Sequence, residues 1–226
     1  MADSRTLVLI PGLAASQEIF TPQRLAFLEL VVPEWPQPRW DETLNDYARR
    51  IADSLPAGPN LVLGGASFGG IVAMHVAQFV PSKAVILIGS LRDPQGLPWI
   101  ATVGRRVPFL VPFLPIRPVQ FLVRLFSTPL NFCMPSKREI FRQFCLADPH
   151  LVKWSLLQLL YWKSSPPVDC PVYHIHGRRD WLLQPRNSPV DNWIEGAGHV
   201  ISLTHGKEVN EFIGSIMQRV SEGGLT

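Results

Sequence analysis

A strand, a sharp turn and a helix follow one another within residues 61–80, and this stretch constrains the fold more than any other. An apolar run, LVL, leads into the glycine-rich turn GGASFGG, after which apolar residues recur at helical spacing. Gly65, Ser67 and Gly69 fit the pattern G-x-S-x-G, in which a serine stands at the tip of a strand-to-helix turn. The glycines lack a Cβ, so the strand and the helix can approach closely. The stretch predicts a nucleophile elbow with Ser67 as the nucleophile, although a glycine-rich turn with a chance serine would read the same.

Apolar segments without charge alternate with helical patterns along most of the chain. Strands are predicted at 6–10, 28–33, 84–89, 170–176 and 192–195, besides the strand of the elbow. Helices are predicted at 17–28, 41–55 and 207–220, besides the helix of the elbow. Strands that are apolar at every position are typical of a parallel sheet covered on both faces. The sequence therefore predicts an α/β fold: a doubly wound, mostly parallel sheet of about six strands with helices on both faces.

Residues 91–165 differ in composition and interrupt this alternation. Many of the 22 prolines of the chain lie here, so we expect the helices of this segment to be short. They are predicted at 119–127, 136–146 and 149–162, the second of them opened by a capping box from Ser136 to Glu139. The sequence thus predicts a core formed by residues 1–90 and 166–226, with 91–165 as a helical lid over the carboxyl ends of the strands.

Two residues can complete the chemistry of the elbow serine. A serine hydroxyl is a poor nucleophile until a base takes its proton, and an acid must hold that base in one tautomer. In a doubly wound sheet the chain order is serine, then aspartate or glutamate, then histidine, which Ser67, Asp180 and His199 follow. Asp180 comes just after a predicted strand, and His199 lies in a glycine-flanked loop after the last strand. We expect all three at one edge of the sheet.

Other residues compete for these roles. Asp93 also follows a predicted strand and could supply the carboxylate, and His205 is a second histidine near the final loop. His174 and His176 lie two apart on a strand, hence on one face, and with His199 and His205 they raise the alternative of a metal site. The absence of a carboxylate or cysteine that completes a familiar ligand set favours no metal and no cofactor.

Four motifs together resemble the α/β-hydrolase superfamily, in its small, lid-bearing, esterase-like branch. They are the first strand and turn LIPGL, the elbow, the loop HGRRD that ends at Asp180, and GAGH that ends at His199. The match spans most of the chain outside 91–165. Two departures are a Pro-Gly pair in the first turn, where many relatives have His-Gly, and a start at what looks like the third strand of the family, without the leading hairpin.

The resemblance implies a role for each site residue. Ser67 is expected to be the nucleophile, His199 the general base and acid, and Asp180 the carboxylate that orients His199. The backbone N–H groups of Leu13 and Phe68 are expected to form the oxyanion hole. The same residues serve thioesterases, C–C hydrolases, amidases and acyltransferases, and a ligand-binding or lipid-binding relative without activity is a further alternative.

Composition limits the partners and the compartment. With 46% hydrophobic and 17% charged residues the chain is globular, and a net charge of +3 is too small to indicate nucleic acid binding. Three cysteines, none in a C-x-x-C pair, favour a reducing compartment. The N-terminus shows no basic segment followed by a long apolar one, so we expect a cytoplasmic protein. The oligomeric state is left open.

The lid segment also bears on the substrate. Between Leu97 and Arg138 there is no acidic residue, while arginines and a lysine are interspersed with tryptophan and phenylalanine. One interpretation is that the apolar residues pack inward around a greasy pocket and the basic ones are solvated. The other is a basic and apolar surface that docks peripherally on anionic membrane. Either favours a small, apolar acyl or aromatic ester as substrate, with Trp99 and Trp181 as candidate pocket walls; Trp181 could equally be a core residue.

Overall fold

A single open sheet of six parallel strands forms the centre of the molecule. The computed structural model describes residues 6–222 except positions 57, 59, 134 and 187, and gives the backbone alone for the rest of 126–137. The strands are β1 Thr6–Ile10, β2 Leu30–Val31, β3 Leu61–Ala66, β4 Ala84–Ile88, β5 Val172–Gly177 and β6 Asn192–Ile194. Their spatial order is β2-β1-β3-β4-β5-β6, which confirms the predicted sheet.

Helices connect the strands and cover both faces of the sheet. They are α1 Thr21–Ala26, α2 Leu44–Ser54, α3 Phe68–Val76, α4 Trp99–Gly104, α5 Ile116–Cys133, α6 Pro135–Leu146, α7 Pro149–Tyr161, α8 Ile201–Thr204 and α9 Gly206–Ser221. Short 3-10 turns lie at Gln17–Phe20, Pro94–Gly96 and Pro108–Phe113. Thr43 caps α2 by accepting the N–H of Asp46 at 3.2 Å.

The alternation of side chains along each strand builds two cores, one on each face. Val8 and Ile10 of β1 pack in the core formed with α2 and α3, whereas Leu7 and Leu9 pack in the core formed with α8 and α9. The other central strands divide in the same way, because successive side chains of a strand point to opposite faces. Fully apolar strands are therefore explained by burial on both sides.

Several predicted element bounds are wrong. The region 17–28 forms a 3-10 turn followed by α1, with Pro22 at the start of the α-helix, where its missing N–H costs nothing. The helix predicted at 119–127 runs from Ile116 to Cys133. Pro118 lies in its first turn, and packing of α5 along α6 carries the helix past Pro129, overriding local propensity. The side chain of Ser136, part of the predicted capping box, is outside the described residues.

The segment 91–165 meets the sheet where its strands end. Gln143 of α6 accepts the N–H of Ser16, which follows β1, at 3.2 Å. The ring of Trp154 in α7 lies against that of Phe68, which follows β3, with centroids 6.5 Å apart. Near the start of the segment, Gly96 accepts the N–H of Gln184, in the loop after β5, at 2.8 Å. These contacts all lie at the carboxyl edge; a separate lid domain stays a prediction.

The length and apolar character needed to cross a bilayer are not combined in any helix of the described ranges. The compartment in which the protein works stays a prediction.

Candidate active site

The elbow holds the backbone of Ser67 in a conformation that residues other than glycine rarely adopt. Its φ of 52° and ψ of −123° place it outside the usual helical and extended regions, at the junction of β3 and α3. Glycines allow this turn to close: a Cβ on Gly69 would lie 2.1 Å from the carbonyl oxygen of Pro11, and one on Gly65 would lie 2.3 Å from the backbone of Gly69. The two glycines of the motif are thus required by close approach of backbone to backbone.

A buried serine of the neighbouring strand secures this strained residue. Ser90, just beyond β4, donates its hydroxyl to the carbonyl oxygen of Ser67 at 2.6 Å, and the N–H of Ser67 donates to Ile88 at 3.0 Å. Ser90 is fully buried. Ser90 was not predicted from the sequence; the available signal was a polar residue just after the apolar strand that pairs with the strand of the elbow.

Ser67, His199 and Asp180 are joined by two hydrogen bonds. His199 Nε2 lies 2.9 Å from Ser67 Oγ, and His199 Nδ1 lies 2.8 Å from Asp180 Oδ2. Because a carboxylate only accepts, Nδ1 carries the proton of the neutral ring, which leaves Nε2 to accept from the serine hydroxyl. Asp180 follows β5 and His199 follows β6, so the structure brings together the three residues that the sequence singled out.

Four donors converge on the buried carboxylate of Asp180. Oδ1 accepts the N–H groups of Leu182 and Leu183 at 2.9 and 3.0 Å. Oδ2 accepts from His199 and also lies 3.1 Å from Nε2 of His176. Burial alone would raise the pKa of Asp180, but the hydrogen bonds from His176 and His199 outweigh it and hold the pKa well below its usual range. Asp180 is therefore ionised.

Two buried histidines of β5 extend this network behind Asp180. His176 Nε2 also lies 3.0 Å from the carbonyl oxygen of Leu183, and His176 Nδ1 lies 3.1 Å from His174 Nε2. Both partners of His176 Nε2 are acceptors, so Nε2 is protonated and Nδ1 accepts from His174. Burial, and then the neighbouring His176, lower the pKa of His174 to about 3, so its ring is neutral. The two imidazoles share one face, as expected, but they contact each other and Asp180.

The competing residues lie elsewhere. Asp93 accepts from the N–H of Gln95 at 2.9 Å and from the hydroxyl of Ser188 at 3.0 Å. His205 stands at the start of α9, where its Nδ1 lies 2.9 Å from the hydroxyl of Thr204. Neither joins Ser67. The described ranges contain no group of three or more histidine, cysteine, aspartate or glutamate residues that could hold a metal ion.

The expected oxyanion donors lie beside the elbow. Phe68 is the first residue of α3, and a Cβ on Gly12 would lie 3.3 Å from Cβ of Ser67, so the turn that contains Leu13 lies against the serine. Within the part of the chain that the structure describes, no protein acceptor bonds the N–H of Leu13 or Phe68. The partial positive charge at the start of α3 adds to this environment for an anion.

The two candidate pocket walls are both exposed. Trp181 follows Asp180 directly and is 80% exposed, so it is not a core residue, and Trp99 is 77% exposed. Two cavities of about 500 Å³ lie between β6 and α9 and beside the start of α2, and neither is lined by Ser67, Asp180 or His199. The role of the two tryptophans stays a prediction.

A serine on a strand-to-helix turn of a parallel sheet, with histidine and aspartate on loops at the same edge, is typical of one large class of hydrolases. The chain belongs to the alpha/beta hydrolase family, whose model matches residues 7–212. Membership of this family supports hydrolase activity. No curated protein matches the chain.

Solved structures share this fold at low sequence identity. A thermophilic esterase from Thermogutta terrifontis is 19% identical with a TM-score of 0.73, over 96% of this chain and 90% of that one. MenH from S. aureus is 16% identical with a TM-score of 0.71, over 96% and 94%. The RedJ thioesterase from the prodiginine biosynthetic pathway in Streptomyces coelicolor is 17% identical with a TM-score of 0.60, over 96% and 86%.

Proposed function

We propose that the protein is a serine hydrolase that cleaves carboxylic esters of small apolar acyl or aromatic substrates through an acyl-enzyme. The observation that carries the proposal is the pair of hydrogen bonds that connect Ser67 Oγ to His199 Nε2 at 2.9 Å and His199 Nδ1 to Asp180 Oδ2 at 2.8 Å. The serine hydroxyl thus points its proton at a base whose tautomer is already set.

The proposed reaction has two halves. Ser67 Oγ bonds to the carbonyl carbon of the ester while its proton passes to His199 Nε2, and the tetrahedral intermediate then expels the alcohol, which takes that proton. Water repeats the sequence on the acyl-enzyme and releases the carboxylic acid and Ser67. No metal or cofactor is needed to balance these steps.

The site stabilises both the positive charge that forms on His199 and the negative charge that forms on the substrate oxygen. The ionised Asp180 stabilises the positive charge that His199 acquires in each half-reaction. The N–H groups of Leu13 and Phe68 would hold the negative oxygen of the intermediate, because neither is bonded within the described protein. Such donors typically contribute about two to three orders of magnitude in rate.

An apolar substrate is supported by the surroundings of Asp180. Trp181 and Leu182 follow it directly and present exposed apolar side chains. A thioester is the alternative substrate, because the same residues would attack it and one of the solved structures that share the fold is named a thioesterase.

Steady-state kinetics test the proposal. The wild-type protein is assayed with p-nitrophenyl esters of increasing acyl length, with phenyl acetate and with acyl-coenzyme A, and Ser67→Ala is the inactive reference. We expect turnover of the esters, a preference for apolar acyl groups, and loss of about six orders of magnitude in kcat in the variant. A wild type that hydrolyses none of them, or a variant as active as the wild type, would reject the proposal; turnover of thioesters alone would select the alternative.

A further inference from the structure

The segment from Trp99 to Leu125 leaves an unusual number of large apolar side chains in contact with solvent. Of eighteen exposed large hydrophobic residues among those described, eleven lie in this stretch. The six most exposed are Trp99, Ile100, Phe109, Phe113, Phe121 and Leu125. Monomeric proteins rarely expose such a concentration of apolar surface without an interaction that covers it. This is the opposite of the inward packing that one interpretation of the sequence predicted for these residues.

The fold explains why these side chains point outward. In α5 the inner residues Ile116 and Gln120 are buried, and the Gln120 amide donates to the carbonyl oxygens of Phe144 and Ala147 at 2.8 and 2.9 Å. Since the inner side is used for contact with α6, the residues at helical spacing on the outer side, from Arg117 through Phe121 to Leu125, face away from the protein.

The turn Pro108–Phe113 repeats this arrangement on α7. Val111 is buried, and the carbonyl oxygen of Pro112 accepts from Nζ of Lys153 at 2.6 Å, whereas Phe109 and Phe113 are exposed. In both elements, therefore, polar contacts and a few buried non-aromatic residues make the internal packing, and Phe109, Phe113 and Phe121 remain exposed.

Charge identifies the partner. Arg106 and Arg117 are exposed in this stretch, as is Arg105, which also donates to the carbonyl oxygen of Trp162 at 3.0 Å. No aspartate or glutamate occurs between Leu97 and Arg138. The carboxylates that flank the stretch are engaged elsewhere: Asp93 with Ser188, and Glu139 with Arg142 at 2.7 Å. A second copy of this face would bring arginines against arginines, which argues against a symmetric dimer through it. A bilayer with anionic headgroups offers apolar depth to the aromatic residues and phosphates to the guanidinium groups.

We propose that the apolar–basic face, formed by the exposed residues of Trp99–Leu125, docks the protein on anionic lipid bilayers. This goes beyond the proposed hydrolase function and does not depend on it. Docking is peripheral, with aromatic side chains at the headgroup boundary, and weakens as salt screens the arginines. Each arginine removed should lower the partition coefficient about fivefold.

Vesicle sedimentation tests this with the full-length protein. Phosphatidylcholine vesicles with and without phosphatidylserine are compared at low and high salt. Arg106→Gln/Arg117→Gln removes charge, and Phe113→Ser/Phe121→Ser removes apolar contact. Matched controls are Arg24→Gln/Arg39→Gln and Leu25→Ser/Leu28→Ser, which alter equally exposed residues outside the segment.

The expected result is binding to vesicles with phosphatidylserine at low salt. The charge variant should bind about 25-fold more weakly, as two fivefold steps predict, while both controls bind like the wild type. Absence of binding to either vesicle, equal binding to neutral vesicles, or equal loss in the controls would each overturn the proposal. So would a dimer in light scattering that Phe113→Ser/Phe121→Ser dissociates, which would assign the face to a second copy of the chain.

The buried imidazole pair behind Asp180 carries a second, independent inference. Oδ2 of Asp180 has two imidazole donors, His199 at 2.8 Å and His176 at 3.1 Å, and His176 is itself completely buried and held by His174. We infer that His176 is a positioning residue that fixes the carboxylate of Asp180, and through it the ring of His199. This rests on the proposed function.

Two substitutions of His176 separate positioning from structure. His176→Phe keeps ring volume but removes the donor to Asp180, whereas His176→Gln places an amide N–H near the former Nε2. We expect His176→Phe to lower kcat by about ten- to a hundredfold with little change in KM, and His176→Gln to restore most of it. His75→Phe is the control, since the described residues give no partner to either nitrogen of His75.

Failure of the positioning inference for His176 can be distinguished from failure of the proposed hydrolase function. If the wild type hydrolyses no ester, the proposed function fails. If it does, and His176→Phe retains kcat or His176→Gln fails to recover it, the positioning inference fails alone.

Discussion

The carboxylate of Asp180 remains ionised although it is buried, because it accepts hydrogen bonds from its own loop and from two imidazoles. Backbone N–H groups of its own loop hold Oδ1, and the imidazoles of His176 and His199 hold Oδ2. The loop therefore fixes the position of the carboxylate independently of His199, and His199 then takes its orientation from the carboxylate.

Replacing this carboxylate tests its role at the residue scale. In Asp180→Asn the charge is lost and an amide N–H₂ faces two imidazole donors, so His199 no longer has an acceptor that fixes its tautomer. We expect kcat to fall by about four orders of magnitude with the fold retained. Asp93→Asn is the matched control and should stay near the wild type, because among the described residues Asp93 bonds Gln95 and Ser188 and neither Ser67 nor His199. A comparable loss in both variants would contradict the assignment.

The glycines of the elbow are required because the backbone of the strand and that of the helix approach too closely to leave room for a Cβ. The sequence motif predicted them correctly, since strand and helix can close only if nothing projects between them. The serine that supports the turn from β4, Ser90, could not be predicted, because its contact with Ser67 depends on the register of two strands that are distant in sequence.

Gly69→Ala should destabilise the protein by about 3 kcal/mol or more, because its Cβ would overlap the carbonyl oxygens of Ile10 and Pro11. Gly214→Ala in α9 has open space around the new methyl and should stabilise by up to about 1 kcal/mol. Urea unfolding of the two variants measures both. A Gly69→Ala protein as stable as the wild type would be incompatible with the close approach described here.

At the scale of elements, the segment 91–165 was the least predictable part of the chain. Its prolines led us to expect short helices, which gave the wrong length for α5, where contact with α6 decides the outcome. Which face of α5 points outward also depends on α6, so the sequence left open whether the apolar residues pack inward or form an exposed surface.

Trp154 is the main apolar anchor of this segment. Its ring is fully buried against Tyr47 at 4.3 Å between centroids, and its N–H donates to the carbonyl oxygen of Glu42 at 3.2 Å. Trp154→Ala should lower the free energy of unfolding by about 3 to 5 kcal/mol. Trp99→Ala, in the same segment but exposed, should change it by less than about 0.5 kcal/mol. Equal effects in thermal or urea unfolding would show that Trp154 does not anchor the segment.

At the scale of the whole molecule, the open parallel sheet of about six strands could be predicted, because its central strands are apolar on both faces and helices separate them. The parallel direction of the strands also placed the loops of Asp180 and His199 at the edge that carries Ser67. The network behind Asp180 was missed: two histidines on one strand face were considered as metal ligands, and only the structure shows which atoms they contact.

Buried His174 makes the stability of the molecule sensitive to acid. Its pKa falls from the ordinary value of 6.5 to about 3 on folding. Between these values the unfolded chain binds more protons, so the free energy of unfolding decreases as pH falls, by at most about 1.4 kcal/mol per pH unit. The lowered pKa of Asp180 makes stability depend on pH only below about its ordinary pKa of 3.8. Above that pH the carboxylate is ionised in both the folded and the unfolded state, so its stabilising effect is constant.

His174→Gln removes this titration while keeping a donor for His176. Between pH 7 and pH 5 the wild type should lose about 2 kcal/mol more than His174→Gln in urea unfolding. His75, whose pKa burial lowers to about 4, adds the same slope to both proteins and cancels in the comparison. Identical pH dependence of the two proteins would mean that His174 is not held neutral in the folded state.

Covalent labelling of Ser67 tests the central claim most directly. A fluorophosphonate reacts with a serine only where a base removes its proton and donors hold the phosphoryl oxygen. Intact-mass and peptide spectrometry should show one adduct on the wild type, located on Ser67, and none on Ser67→Ala or on heat-denatured wild type. A wild type that remains unlabelled, or an adduct that persists in Ser67→Ala, would contradict the assignment of Ser67 as the nucleophile.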